Sequence, residues 1–409
     1  TLSAMISAVL RGRGWSVQRR TVRPSGHPFQ RESSGHGFPQ SDYAIIADEG
    51  PGISGSSMVA VADALTRAGF RREQISFFPG HPNGPGHRAS EQIRQWWNNT
   101  RQYVAPVEAL RWNGRSLEES LLELASAVCH KPFSQCEEVS GGRWRARAYS
   151  SASQWPPAFA PFERAKYICT AEDGSALLWK FSGLGAETEN TTISPYSMVT
   201  LANHLGFQAY PWMEGSRLSR SDLSPELIWH LSEHLSALCG PVLSPGEQER
   251  ALERLREMTF WNIKTVAGEE FAQQALQNYS AAQQMEPTPS YGDGHLAPWE
   301  WIRTEQGDFV KTDDSGHSCD HTLIGKQSVL WDVAGAIVEW SFSEPDQQLL
   351  LEMLAQKGLT IDRSALGFYR NAYAAFQIGK ASLCSDMTSD SKEGKRLRGA
   401  VDLYKAAVI

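Results

Sequence analysis

Between Tyr43 and Pro79 the chain spells out a strand, a loop, a helix and a second strand. That order leaves few folds open. The apolar run Tyr43-Ala44-Ile45-Ile46-Ala47 has the length and composition of a buried strand. It ends in two acids, Asp48 and Glu49, followed by a segment rich in Gly and Ser up to Ser57. A helical pattern over Met58 to Ala68 closes on Gly69, the residue type that most easily takes the left-handed conformation at a helix end. Ile75-Ser76-Phe77-Phe78 is the next strand-like run. Two strands joined through a helix pair in parallel when they share a sheet. The first part of the chain is therefore expected to be an α/β domain with a parallel sheet.

At roughly 100–200 residues per domain, 409 residues predict two or three domains. The first is expected over residues 1–140. It opens with an amphipathic helix and a strand in residues 1–20, and continues past the Gly/Pro-rich loop at 79–87 with helices at 89–97 and 116–128. The last of these has Glu118 and Glu119 in its first turn, where they suit the helix dipole. Residues 141–161 carry Gly141-Gly142, a Ser run and the breakers Trp155-Pro156-Pro157, and are expected to be the connection. The second domain, 162–409, has a different grammar. Tyr167 to Thr170 and Ala176 to Phe181 form a hairpin turning on Asp173-Gly174. A helix is expected near 195–204, then a strand-like piece ending in Tyr210 to Gly215. From Ser224 onward the pattern is helical, interrupted at 291–313. An α+β domain with a small β-rich part and a helical part is expected.

Composition removes several functional classes. Lys and Arg number 39 against 46 Asp and Glu, a net charge of −7, which counts against a protein that coats nucleic acid. No apolar run approaches the roughly 18–20 residues of a membrane-spanning helix. The six cysteines are scattered and contain no CxxC pair, which fits a reducing, cytoplasmic location better than a disulfide scaffold. The chain starts with Thr rather than Met, and is expected to begin within a longer natural one.

The first candidate site is the loop after residue 47. Backbone N–H groups of a Gly/Ser loop at a helix start make an anion cradle, to which the Ser54, Ser56 and Ser57 hydroxyls add donors. Asp48 and Glu49 suit ribose hydroxyls or a metal held by them. This pattern resembles the phosphoribosyl-diphosphate motif of the type I phosphoribosyltransferases. Ala44 to Ala47 match its strand, Asp48 and Glu49 its acidic pair, and Ile53, Ser54, Gly55, Ser56 and Ser57 its phosphate loop. The resemblance implies phosphoribosyl diphosphate or a ribose 5-phosphate derivative as substrate, transfer or its phosphorolytic reverse, and a homodimer. The segment Gly50-Pro51-Gly52 is one residue longer than the family pattern, and Glu49 stands where Asp is commoner.

The second candidate site is spread over the second half. Lys180 ends the apolar strand LLWK, where an ammonium can reach nucleotide phosphates. Tyr210 to Gly215, Gly292-Asp293, and Asp313 after Phe309-Val310-Lys311-Thr312 follow in order. Together these resemble the aminoglycoside phosphotransferase and choline kinase group of the protein-kinase-like fold. The resemblance implies that Asp293 aligns the acceptor hydroxyl, Asp313 binds Mg²⁺, and Trp212, Met213 and Glu214 form the hinge that holds the adenine of ATP. It further implies that Asp332, in Trp331-Asp332-Val333-Ala334, holds the catalytic loop. Where the family has a metal-binding Asn five residues after the catalytic Asp, this chain has Pro298. Glu300 is the substitute oxygen ligand assigned here, with Asp314 and Asp320 as further ones. Glu187 and Glu189 are candidates for the partner of Lys180.

Other residues have plainer readings. His317, Cys319, Asp320 and His321 lack the second ligand pair of a structural zinc site and are read as a loop contacting phosphate or itself. Arg143, Trp144, Arg145 and Arg147 are read as a solvated strand, and His230 and His234 as a helix surface. Two functions lead, ahead of a nucleic-acid-modifying enzyme, against which the acidic net charge counts. One is a two-domain enzyme combining phosphoribosyl transfer with ATP-dependent phosphorylation of a small-molecule hydroxyl, nucleoside-like or sugar. The other is a regulatory, nucleotide-sensing or conflict-related protein with degenerate transferase and pseudokinase domains.

Overall fold

The computed structural model separates into two units, Thr1–Ser120 and Leu121–Ile409. The described residues are 2–27, 29–34, 37–39, 41–105, 109, 111–183, 194–291, 294–313, 326–388 and 390–408.

In the first unit, α1 (Leu2–Gly12) leads into residues 15–24, which form no helix or strand, so the strand expected there is absent. β1 (Ala44–Asp48), α2 (Ser56–Arg67) and β2 (Ile75–Pro79) form the expected strand–helix–strand unit, with β1 and β2 parallel from Ala44↔Ile75 to Asp48↔Pro79. α3 (Glu91–Asn99) then leads to β3 (Arg101–Gln102), parallel to β2 on its other side. Among the described residues the sheet has three strands, in the order β1-β2-β3. β2 is central, and Ile75 and Phe77 are buried. β1 lies at the edge. Ile46 is buried but Ile45 is exposed, so β1 is half-buried rather than buried on both faces. Met58, Val59, Ala62 and Leu65 recur at helical spacing on α2 and pack with Ile93, Trp96 and Trp97 of α3 against Ile46 and Phe77. Asp63 accepts a 2.7 Å bond from Trp96 Nε1, which satisfies the indole of that core.

α4 (Leu117–Cys129) runs across the division between the units. In the second unit, β4 (Phe133–Glu138), β5 (Lys166–Ala171), β6 (Ala176–Phe181), β7 (Ala202–His204) and β8 (Phe207–Pro211) form an antiparallel sheet in the order β7-β8-β6-β5-β4. The β5–β6 hairpin turns where Asp173-Gly174 predicts, with Gly174 at φ 85°. β4 belongs by sequence to the expected first domain, and here it is the edge strand of this sheet. The helix expected near 195–204 is absent. His204 pairs with Phe207 across Leu205 and Gly206, both at positive φ, the geometry of a two-residue hairpin turn. That local turn outweighs the weak helical pattern before it.

β9 (Ser216–Arg217), β10 (Trp301–Arg303) and β11 (Phe309–Lys311) make a second small antiparallel sheet. Most of the remaining described residues are helical: α5 (Pro225–Ala237), α6 (Pro245–Ala267), α7 (Glu269–Ala275), α8 (Leu330–Glu339), α9 (Glu344–Gln356), α10 (Arg363–Met387) and α11 (Ser391–Ala406), with a short antiparallel pair between Ser290–Tyr291 and Gln327–Ser328. Every residue of α8 is buried, as expected of a helix enclosed on all sides. Gly335 makes that possible, because a Cβ there would meet the Tyr373 ring of α10 at 2.8 Å. At the end of α8, burial raises the pKa of Glu339, and the hydroxyls of Tyr373 (2.9 Å) and Tyr404 (3.0 Å) donate to its carboxylate. The second unit is thus a sheet-containing part followed by a helical part. Among the described residues, no helix is long and apolar enough to cross a membrane.

Residues 141–161, the expected connection, are tied into the second unit. The Arg145 guanidinium is buried and bidentate on Glu393 of α11, at 3.1 and 3.0 Å, with Gly142 O at 2.7 Å. Ala158 N also donates to Glu393, at 2.6 Å. Arg145 is therefore not part of a solvated strand. Replacing Glu393 with Ala strands a buried cation, and a loss of about 3–5 kcal/mol is expected in urea unfolding.

Candidate active site

The loop after β1 is packed on its outer side. Gly80 N donates to Gly50 O and Gly86 N to Gly52 O, each at 3.0 Å, so the Gly/Pro-rich loop lies over it. Cβ atoms at Gly80 and Gly86 would meet Glu49 O at 2.5 Å and Ile53 O at 2.9 Å, which explains glycine at both positions. Gly55, at φ 66°, sits just before α2, where its own Cβ would strike Pro85 at 2.9 Å. Ser54 and Ser56 are buried, and the Ser54 hydroxyl donates to that of Ser56 at 2.9 Å. Asp48 accepts from Glu49 N at 2.9 Å. The acidic pair and the small-residue loop are thus brought together at one end of β1. A side chain at Gly55 would be stopped by Pro85.

In the second unit the chemistry gathers around β6. Lys180 lies on its middle strand and is buried, a position an ammonium tolerates only with an anion beside it. That anion is Asp313, whose Oδ1 accepts from Lys180 Nζ. Burial pushes the Lys180 pKa down, and the Asp313 charge pulls it back up. Asp313 stands two residues beyond β11, and three bonds fix the approach to it. Thr312 N donates to Glu300 O at 2.8 Å, Thr312 Oγ1 to the same oxygen at 3.0 Å, and Arg217 to Thr312 Oγ1 at 2.9 Å.

Lys311 is the residue that the sequence reading passed over. Its side chain is wholly buried. Its ammonium donates to Glu300 Oε2 at 3.0 Å and to the backbone carbonyl of Asp313. The other Glu300 oxygen faces His295 Nδ1 at 3.3 Å. The signal was present: in Phe309-Val310-Lys311, strand alternation turns Phe309 and Lys311 to the same, inner face. Nearby, Asp332 in the first turn of α8 is buried and accepts from Gly294 N at 2.7 Å, which anchors the backbone immediately after residue 293. Trp212 N extends the β6–β8 ladder by donating to Ala176 O at 2.8 Å. Trp212 and Met213 are half-buried and Glu214 is exposed, in the segment that leads from the five-stranded sheet to β9. Asp293, Glu187, Glu189, Asp314, His317, Cys319, Asp320 and His321 lie outside the described residues.

Solved structures similar to this chain include a choline kinase from Streptococcus pneumoniae, at 13% identity and TM-score 0.45, covering 71% of this chain and 100% of that one. A spectinomycin phosphotransferase in complex with ADP and spectinomycin has 13% identity and TM-score 0.46, covering 71% and 98%. An ethanolamine kinase from Plasmodium vivax has 10% identity and TM-score 0.43, covering 78% and 96%. Likeness at this level fixes neither the fold family nor the activity of this chain. No protein-family profile matches the sequence, and no curated protein matches it.

The two histidines on α5 differ from a solvated pair. His234 is buried with Nδ1 2.8 Å from Ser194 Oγ. His230 Nδ1 lies 2.8 Å from the Tyr196 hydroxyl, which also donates to Glu233 at 2.5 Å. Tyr196 in turn offers its carbonyl to Lys311 N at 2.8 Å. Helical periodicity put His230 and His234 on one face but could not say that 194–196 would cover it. Among the described residues, no cluster of three or more His, Cys, Asp or Glu side chains could hold a metal on its own.

Proposed function

We propose that the second unit is a phosphotransferase that uses ATP and Mg²⁺ to phosphorylate a hydroxyl of a small molecule. The observation that carries the proposal is the Lys180–Asp313 pair, a buried ammonium and a carboxylate brought together from the middle of a sheet and the end of a distant strand. Phosphoryl transfer relies on positioned charge rather than covalent catalysis. Lys180 would leave Asp313 in part and share its donors with phosphate oxygens.

Asp313 is of the donor type that Mg²⁺ takes, which characteristically uses one or two carboxylates together with substrate phosphates and water. When bound, the ion would supply neutralisation of phosphate charge. Glu300 is assigned to support it. Both its oxygens already face cations or N–H groups, at Lys311 and His295, so its contribution is to hold the strand end carrying Asp313. Asp293 is assigned the acceptor hydroxyl on sequence grounds, next to a Gly294 fixed by Asp332. Trp212, Met213 and Glu214 are assigned the adenine.

Calorimetric titration with ATP–Mg²⁺, followed by a phosphate-transfer screen over small alcohols and sugars, tests the proposal. Lys180→Ala is expected to weaken ATP–Mg²⁺ binding about 10–100-fold, the value of a hydrogen bond between charged groups. Unchanged affinity in that variant overturns the assignment. Binding without turnover in any substrate, with no change on Asp293→Asn, would favour a nucleotide sensor.

For the first unit we propose binding of phosphoribosyl diphosphate or a ribose 5-phosphate derivative, with Ile53 to Ser57 on the phosphate and Asp48 and Glu49 on hydroxyls. The order of strand, acidic pair, loop and helix supports it. Titration of the full chain with phosphoribosyl diphosphate–Mg²⁺ tests it, and no binding overturns it.

A further inference from the structure

The β4–β5 ladder sets two cysteines directly opposite each other, Cys136 on the edge strand and Cys169 on its neighbour. Val139 N donates to Lys166 O at 2.8 Å in the continuation of the same ladder. In an antiparallel ladder, hydrogen-bonded and non-hydrogen-bonded pairs alternate, so Cys136 and Cys169 occupy a non-hydrogen-bonded pair. Such pairs hold their Cα atoms about 4.5 Å apart, with side chains closer together than in the other kind. A disulfide requires a Cα separation of about 4.4–6.8 Å. The backbone therefore needs no movement to accept one. The sulfurs lie 2.9 Å apart, and both cysteines are free thiols.

We propose that Cys136 and Cys169 are a site of reversible oxidation that closes to a cross-strand disulfide. The two thiols are unequal. Cys169 is fully buried, while Cys136 is half-buried on the strand at the sheet edge. The hydrogen bond between the two sulfurs, together with burial, keeps Cys169 protonated. Cys136 is thus the sulfur that meets an oxidant first. With a small-molecule disulfide such as oxidised glutathione, Cys136 loses its proton to solvent and its thiolate attacks one glutathione sulfur. The glutathione S–S bond breaks, one glutathione thiolate leaves, and a mixed disulfide forms on Cys136. Cys169 then gives up its proton and attacks the Cys136 sulfur, and the second glutathione thiolate leaves. Two thiols are oxidised, one disulfide is reduced, and the two protons end on the two glutathiones. The product ties β4 to β5, the strand that pairs directly with the Lys180 strand.

The test uses the full chain, folded and fully reduced, incubated with increasing ratios of oxidised to reduced glutathione. Acid quenching and peptide mapping without reductant follow. The expected result is a Cys136–Cys169 cross-linked peptide lacking two hydrogens, reversed by dithiothreitol, with a higher unfolding midpoint for the oxidised chain. Exposed Cys239 is the internal control and should carry glutathione alone. Cys169→Ser should trap glutathione on Cys136, and Cys136→Ser should leave Cys169 unmodified. Stable glutathione on Cys136 of the unsubstituted chain, without the cross-link, overturns the proposal. So does an unmodified Cys136 when Cys239 has fully reacted.

Discussion

Asp313→Ala is expected to abolish Mg²⁺-dependent ATP binding by the second unit, with affinity falling by more than about a hundredfold. Changes in the outer shell of a metal site already cost about 10–100-fold, and Asp313 is proposed as a direct ligand. The substitution also leaves Lys180 buried without its carboxylate, so some loss of stability accompanies it. Asp313→Asn separates the two effects, since the amide oxygen can still accept from Lys180 while the negative charge is gone. Calorimetry in Mg²⁺ and in EDTA is the readout. If Asp313→Asn binds ATP–Mg²⁺ as tightly as the unsubstituted chain, Asp313 is not the metal ligand.

Lys311→Met is expected to have a large effect on folding. Lys311 is completely enclosed, and its ammonium joins the Glu300 carboxylate to the backbone of Asp313. Removing it abandons a carboxylate in a largely dry setting, and breaking such a pair from one side costs about 3–5 kcal/mol. Replacing both members together, as Lys311→Met with Glu300→Gln, should recover part of the loss, because no unpaired charge remains. Urea unfolding of the two single variants and the double variant forms a cycle that reads the coupling directly. Additive losses would mean that the pair is incidental.

The parts of this fold that rest on local pattern were legible in the sequence. The β1–α2–β2 order, the hairpin on Asp173-Gly174 and the helical second half follow from periodicity and turn residues. What was not legible depends on pairing between distant segments. Nothing local in Phe133 to Glu138 says that it will join β5 rather than the sheet of the first unit. The stretch around Arg145 reads as solvated because its partner, Glu393, lies 248 residues away. At the candidate site, Lys180 and Asp313 were visible as a lysine at a strand end and an aspartate after a strand. Their direct contact was not. Lys311 was masked by the ordinary expectation that lysine faces water, although strand alternation places it inside.

α8 can be regarded as a strut. It is ten residues long, about 15 Å, and each end terminates in a buried carboxylate with a fixed load. Asp332 carries the backbone at Gly294, while Glu339 carries Tyr373 of α10 and Tyr404 of α11. An enclosed helix has little room to bend, so a displacement imposed at one end is passed to the other. α11 and the backbone at Gly294 are then mechanically in series, and a chain lacking α11 would loosen the hold of Asp332 on Gly294 from the far end of the strut.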